Sequence, residues 1–431
     1  MPKNMLLSQR YKEPRNGRTG LAMVDTIILR TNEICLKGGN RHVFERYLLD
    51  DVKLRLAPIG SFKVRGDQGS VFAFHEGPMT DETAAASAAA MRTVFGVATI
   101  LFAARVTKDI ETICAAAETL MTKRGLTSEA VAKGMKRSFK VFASRSDKTF
   151  SMSSHDIACA VGERLLNDVP GLVVDVHEPK TNVTIEIAKE VAYVAVGREE
   201  GAGGLPGGVA GKVVAMLSGG IDSPVAAWKL MRRGCRPVLV HFHSYPYVGA
   251  ESIDKVKRLA ARLGAFLPGL TLHLVPIGDA QREITAKADE SVRVLLYRRL
   301  MFRIAEKIAV KERAYAVITG DSVGQVASQT IENIAAVSKI TTMPVYRPLI
   351  GDDKEDIVRV AKRIGTFATS IEPHDDCCTL FVPRRPATRA SAVQLDAEEA
   401  KYDVHALVEA SLAKTETVAV TSAVPHATVV A

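Results

Sequence analysis

The chain has 431 residues, 47% hydrophobic and 24% charged, with a formal net charge of +9. This is globular composition, and it excludes a wholly disordered chain, a collagen-like fibre and a coiled coil. No stretch reaches the roughly 18 apolar residues of a membrane span, and the basic first 20 residues lack the apolar core of a secretory signal; the sequence therefore predicts a soluble, cytosolic protein without membrane association.

At roughly 150 residues per domain the length suggests about three domains. Residues 1–24 read as a loose basic extension. Residues 25–92 give strand, helix, strand, strand and helix in turn: Thr26–Arg30, His42–Leu56, Phe62–Val64, Val71–Phe74 and Thr83–Arg92. That order in a short span fits an α+β, ferredoxin-like unit. Residues 93–198 form a second small α+β unit, with strands at Ile100–Val106, Ser138–Ala143, Leu172–Val176, Thr184–Ala188 and Ala192–Val196. Its helices are Ile110–Lys123 and Ser154–Leu166. Within 123–148 stand eight Lys or Arg against two Asp or Glu. Such a cluster is a solvated basic face or a phosphate-binding one.

The glycine-dense segment 199–211 reads as a linker. Over 212–390 strands and helices alternate, with strands at Val213–Leu217, Pro237–His241, Thr271–Pro276 and Tyr315–Thr319. This rhythm predicts a doubly wound parallel sheet covered by helices on both faces. Residues 391–431 show no clear period and read as a C-terminal tail. Four cysteines, Cys35, Cys114, Cys159 and Cys235, are scattered and read as buried thiols; Cys377 and Cys378 are adjacent. Six so placed make no disulfide framework.

The most informative segment is Ser218-Gly219-Gly220-Ile221-Asp222-Ser223. It follows a buried strand and precedes Pro224, which suits a first helical turn because its missing N–H costs nothing there. Two glycines let backbone N–H groups converge, two hydroxyls add donors, and the helix dipole favours an anion. No Gly-Lys-Ser/Thr ending is present, so this is not a Walker A loop. The pattern resembles the pyrophosphate loop of the ATP pyrophosphatase (PP-loop) superfamily, whose members cleave ATP between the α and β phosphates. In such a loop Asp222 would hold Mg2+ or orient pyrophosphate.

Three further segments narrow the resemblance. Asn32–Glu45, with Lys37, Gly38 and Arg41, and Thr319–Thr330, with Gly320, Gln325 and Gln329, are similar to segments of the tRNA 4-thiouridine synthetase family. Ser138–Phe150 resembles the basic strand and loop of a THUMP domain. The similarity runs in one order over about residues 25–390. It implies an ATP-dependent tRNA sulfurtransferase that adenylates uridine at position eight of tRNA and replaces its 4-oxygen with sulfur. A cysteine desulfurase would supply the sulfur as a persulfide, and delivery to the thiamine thiazole is a second expected use. The family's ATP contacts fall on Met216, Leu217, His241, Phe242, Arg298, Gly320 and Gln329; the loop residues Ser218, Gly219, Gly220, Asp222 and Ser223 are expected to bind ATP on their own chemistry. Asp222 is the family's essential loop aspartate. Cys377 and Cys378 lie in a segment resembling the one that handles sulfur. The expected tRNA contacts are Lys37, Arg41, Lys133, Lys136, Arg137, Lys140, Arg145 and Lys148, which would hold phosphates without reading bases. The resemblance also implies a homodimer, and a short form without a C-terminal rhodanese domain. The competing readings are another PP-loop ligase or amidotransferase, and a non-catalytic RNA-binding protein.

Overall fold

A computed structural model describes residues 23–67, 69–124, 131, 133–373 and 385–421. Cys377 and Cys378 lie outside the described residues.

The elements in chain order begin with β1 (Thr26–Arg30), α1 (Arg41–Leu56), β2 (Phe62–Asp67), β3 (Ser70–His75), α2 (Asp81–Met91) and β4 (Thr99–Val106). The strands before α3 lie in the order β2-β3-β1-β4. Helix α2 starts where the sequence supplies a reason. Thr80 accepts from the Thr83 N–H at 3.1 Å and so caps α2, while Asp81 and Glu82 fill its first turn.

Next come α3 (Ile110–Arg124), β5 (Arg137–Arg145), α4 (Ser154–Asp168), β6 (Leu172–Val174), β7 (Thr181–Ile187) and β8 (Ala192–Val196). Ser153 and Asp156 form a reciprocal capping box on α4. The strands run β8-β7-β5-β6, with β5 parallel to both its neighbours. Alternate residues Thr181, Val183, Ile185 and Ile187 are buried, and Phe139, Ile157, Val161 and Leu165 complete this core.

The remainder is β9 (Glu199–Glu200), β10 (Lys212–Met216), α5 (Asp222–Met231), β11 (Arg236–His243), α6 (Glu251–Phe266), β12 (Thr271–Pro276), α7 (Gly278–Lys287), α8 (Arg293–Glu312), β13 (Val317–Ile318), α9 (Ile331–Ser338), β14 (Val345–Tyr346), α10 (Lys354–Arg363), α11 (Phe367–Ser370), α12 (Ala392–Glu399), α13 (Val404–Ala413) and β15 (Glu416–Ala419). Its sheet has the order β14-β13-β10-β11-β12-β15, parallel except for the last pair. Two apolar clusters cover it. One includes Val214, Val240, Leu296, Phe302 and Leu395; the other includes Ala215, Trp228, Leu239, Leu263 and Ile357. Apolar strand runs follow from burial on both faces.

Two compact units emerge. One is residues 102–198 with the chain up to Thr26; the other is 27–101 with 199–431. The second unit joins its parts through Phe95, Trp228 and Phe266, whose ring centroids lie 5.7–5.9 Å apart. Arg55 adds bonds to Ala265 O and Phe266 O at 2.6 and 2.7 Å.

Three expectations need correction. The glycine-rich stretch 199–211 is no loose linker: a Cβ on Gly201 would stand 2.2 Å from Val97 O, and one on Gly204 2.1 Å from Arg232 O. Its glycines allow close backbone approach. Nor are residues 391–421 a tail, because they build α12, α13 and β15. Arg299 on α8, 1% exposed, bonds Glu399 at 2.9 Å and Asp396 at 2.6 Å, and Arg303 reaches Glu399 at 2.5 Å. Leu395, Tyr402 and Val408 enter the core beside them. Alanine-rich composition hides this periodicity. Finally, Cys114 and Cys235 are buried, and burial pushes both thiols up, but Cys35 and Cys159 are exposed.

Candidate active site

The phosphate loop joins β10 to α5 at the carboxyl edge of the parallel sheet, where open α/β sheets bind ligands. The loop is braced by its own serines. Ser223 Oγ accepts from the Ser218 N–H at 2.8 Å, lies 3.0 Å from Ser218 Oγ, and donates to Ser218 O at 3.3 Å. The Gly220 N–H donates to Ser218 Oγ at 3.3 Å. His241 Nδ1 donates to Leu217 O at 3.0 Å, with the proton assigned from the carbonyl partner. The Leu217 N–H is taken by Val240 O at 2.8 Å.

Helix α5 begins with Ile221 as N-cap, which gives no side-chain bond. The first-turn N–H groups therefore keep no side-chain cap, and the helix dipole adds to their pull on an anion. Neither Gly219 nor Gly220 has positive φ. A Cβ on Gly220 would meet only Ser218 Oγ, at 3.5 Å. The glycine therefore leaves room above the loop, and that room suits a phosphate. Gly320 acts differently, since a Cβ there would stand 2.8 Å from Ser223 N and 3.0 Å from Asp222 C. Only glycine lets the end of β13 approach the start of α5 so closely.

The loop itself contains no lysine, but the fold brings one. Lys354, the first residue of α10, donates to Asp222 Oδ1 at 2.6 Å across 132 residues of sequence. Gln325 Nε2 donates to the other carboxylate oxygen at 2.9 Å. Lys229 on α5 pairs with Asp352, whose carbonyl accepts from Ser322 Oγ at 3.2 Å. No local signal in the sequence ties Lys354 to the loop. Among the described residues no cluster of three or more His, Cys, Asp or Glu could hold a metal ion.

The other expected nucleotide residues divide by role. Leu217 and Phe242 are buried in the cores flanking the sheet, and half-buried Met216 packs against one of them. Arg298 donates to Ser328 O at 3.0 Å and to Asp321 at 2.5 Å. Burial pushes the Asp321 carboxyl up, but Arg298, the Thr319 hydroxyl and Arg347 outweigh it and hold the group below its usual range. Gln329 closes its own loop, accepting from the Ser322 N–H at 3.4 Å and, through its carbonyl, from the Gly324 N–H at 3.0 Å.

The basic residues are less uniform than their spacing suggests. On and before β5, and in the loop after it, Lys133, Lys136 and Lys148 are exposed. Lys140 lies 4.9 Å over the Phe142 ring and donates to Val176 O. Arg137 bonds Arg124 O. Arg145 turns inward, donating to Phe150 O at 3.0 Å and Met152 O at 2.6 Å, so its work is closing the loop after β5. In the other unit Lys37 sits over Phe44 and Arg41 pairs with Glu45 at 2.7 Å.

A doubly wound parallel sheet with this loop at its carboxyl edge defines a PP-loop nucleotide domain. The family model for the thiamine biosynthesis protein ThiI matches residues 208–404, a THUMP model 107–196, and a ThiI ferredoxin-like model 26–100. A probable tRNA sulfurtransferase of Brevibacillus brevis is 39% identical over 392 residues, 91% of this chain and 95% of that protein. One from Thermus thermophilus is 42% identical over 385 residues, 89% and 91% of the two chains. The crystal structure of a 4-thiouridine synthetase–RNA complex with bound ATP superposes with a TM-score of 0.79 at 34% identity, covering 92% of this chain and 100% of that one. The chain belongs to the tRNA sulfurtransferase family.

Proposed function

We propose that this chain adenylates the uracil 4-oxygen of uridine eight in tRNA and exchanges it for sulfur, giving 4-thiouridine. The observation that carries the reading is the uncapped start of α5 beside the open face of Gly220, with Lys354 and Asp222 at its mouth. A uracil oxygen is a poor leaving group, and joining it to AMP makes it a good one. The uracil oxygen attacks the α-phosphorus, the α–β anhydride bond breaks, and pyrophosphate departs. First-turn N–H groups and Lys354 would stabilise that departing charge. Mg2+ entering with ATP would spread the same charge, and Asp222 is the loop carboxylate to meet it. A persulfide sulfur then attacks carbon four, AMP leaves, and a thiol reductant cleaves the remaining sulfur–sulfur bond. Cys377 and Cys378 are the proposed carriers, with a cysteine desulfurase as donor.

In this reading residues 25–92 and 93–198 hold tRNA while 212–390 perform adenylation. Lys133, Lys136, Lys140 and Lys148 meet phosphates, with Lys37, Arg41 and Arg137 adding to the positive surface. Arg298, Gly320 and Gln329 shape the nucleotide pocket. Among the described residues no helix is long and apolar enough to cross a membrane. A cytoplasmic location, a homodimer and a contribution to thiamine sulfur complete the proposal.

The experiment is ATP–pyrophosphate exchange with and without tRNA, followed by mass spectrometry of tRNA nucleosides. Exchange together with 4-thiouridine is the expected result. Exchange without thiolation of tRNA would point to another adenylating ligase, and absence of exchange would leave an RNA-binding protein.

A further inference from the structure

We propose that Lys255 and Ser370 are positioning residues that set the phosphate loop from outside it. The proposal rests on the nucleotide reading above. Lys255 lies on α6 and is 1% exposed, beside the core residues Val256, Leu259 and Leu263. Its ammonium donates to Ser370 O at 2.8 Å and Glu372 O at 2.7 Å. On the same helix Arg258 grips the Glu372 carboxylate with both terminal nitrogens, at 2.7 and 2.5 Å. A buried ammonium is costly unless hydrogen bonds satisfy it, and an apolar side chain of similar size would avoid that cost. What the charge achieves here is to fix two backbone carbonyls.

The fixed segment reaches the loop. Ser370 ends α11, and its hydroxyl donates to Gly220 O at 3.3 Å. Three loop carbonyls are thus held by side chains: Leu217 O by His241, Ser218 O by Ser223, and Gly220 O by Ser370. A trans peptide is planar, so holding the Gly220 carbonyl also aims the Ile221 N–H to the opposite side. That N–H belongs to the N-cap of α5, where the donors for a phosphate begin. The relay runs from α6 through Ser370 to Gly220, and nothing in the loop's own sequence replaces it.

The test titrates ATP, by calorimetry and by pyrophosphate exchange, into wild type, Ser370→Ala and Lys255→Met. Ser370→Ala removes one hydroxyl and leaves the Lys255 contacts in place. We expect both variants to bind ATP about 3- to 10-fold more weakly, the loss of one aligned hydrogen bond, with tRNA affinity unchanged. A purely structural role would lower the melting temperature of Lys255→Met and leave ATP affinity untouched. Wild-type ATP affinity in folded Ser370→Ala would overturn the relay while the nucleotide reading stood. A wild-type chain that bound no ATP would overturn both.

Discussion

At the scale of single residues, the site depends on contacts that no local pattern announces. The hexapeptide Ser218–Ser223 is legible because its chemistry is local: strand, glycine pair, proline-started helix. Lys354 is not, because its role exists only after the sheet brings α10 to the mouth of the loop. Replacing Lys354 by Met or Asp222 by Asn should slow pyrophosphate exchange about a hundredfold, the scale of removing one preorganised charge-stabilising group. The melting temperature should hold, since both side chains are partly exposed. Gly320→Ala should behave differently. Its added methyl meets backbone atoms that cannot turn away, so we expect about 1–3 kcal/mol of lost stability, read by urea denaturation. Residue-scale reading also misjudges Arg145, whose charge fits a phosphate surface but whose guanidinium closes a turn.

At the scale of elements, strands and long helices are legible in both small units and in the nucleotide domain, because hydrophobic period and caps are short-range signals. The strand expected at Ser138–Ala143 spans Arg137–Arg145, and the helix expected at Ile110–Lys123 spans Ile110–Arg124. The shorter pieces α7, α9 and β14, and everything after 390, are not legible. Their placement is decided by tertiary partners, above all the Arg299–Glu399 pair. Arg299→Met should cost about 1–3 kcal/mol, because it removes one of the two cations on buried Glu399 while Arg303 keeps the other. The double variant Arg299→Met, Glu399→Leu should recover much of that in thermal denaturation. The β12–β15 pairing carries a pH signature. Burial pushes His273 down against the opposing pull of Glu312, while Lys311 lowers it further; its Nδ1 lies 3.0 Å from the Thr417 hydroxyl on β15. His243 is likewise lowered by burial, opposed by Glu416. The unfolded chain takes up these protons near pH ~6.5, so the stability they contribute is full above that value and lost as pH falls. Wild type should lose melting temperature between about pH 7.5 and about pH 5.5, and His273→Gln should lose less.

At the scale of the whole molecule, sequence order reads as three successive domains, yet 27–101 and 199–431 form one compact unit. That grouping comes from Arg55, Phe95, Trp228 and Phe266, which are far apart along the chain. The net charge of +9 gives the molecule a general attraction to polyanions, but only exposed cations can exchange counterions for phosphates. Lys136→Ala and Lys148→Ala should each reduce the slope of log affinity against log salt for tRNA by about 1. Arg145→Ala should act chiefly on stability, which filter binding and thermal melting of the same variants would separate.

The last strand has a consequence for biosynthesis. β15 covers the outer edge of β12, yet residues 277–415 separate the two. At typical translation speeds that stretch takes roughly 7–30 s to make. Throughout that interval a newborn sheet exposes an unpaired hydrogen-bonding margin, a template for wrong partners. Shielding by chaperones is therefore needed most while this interval of chain emerges.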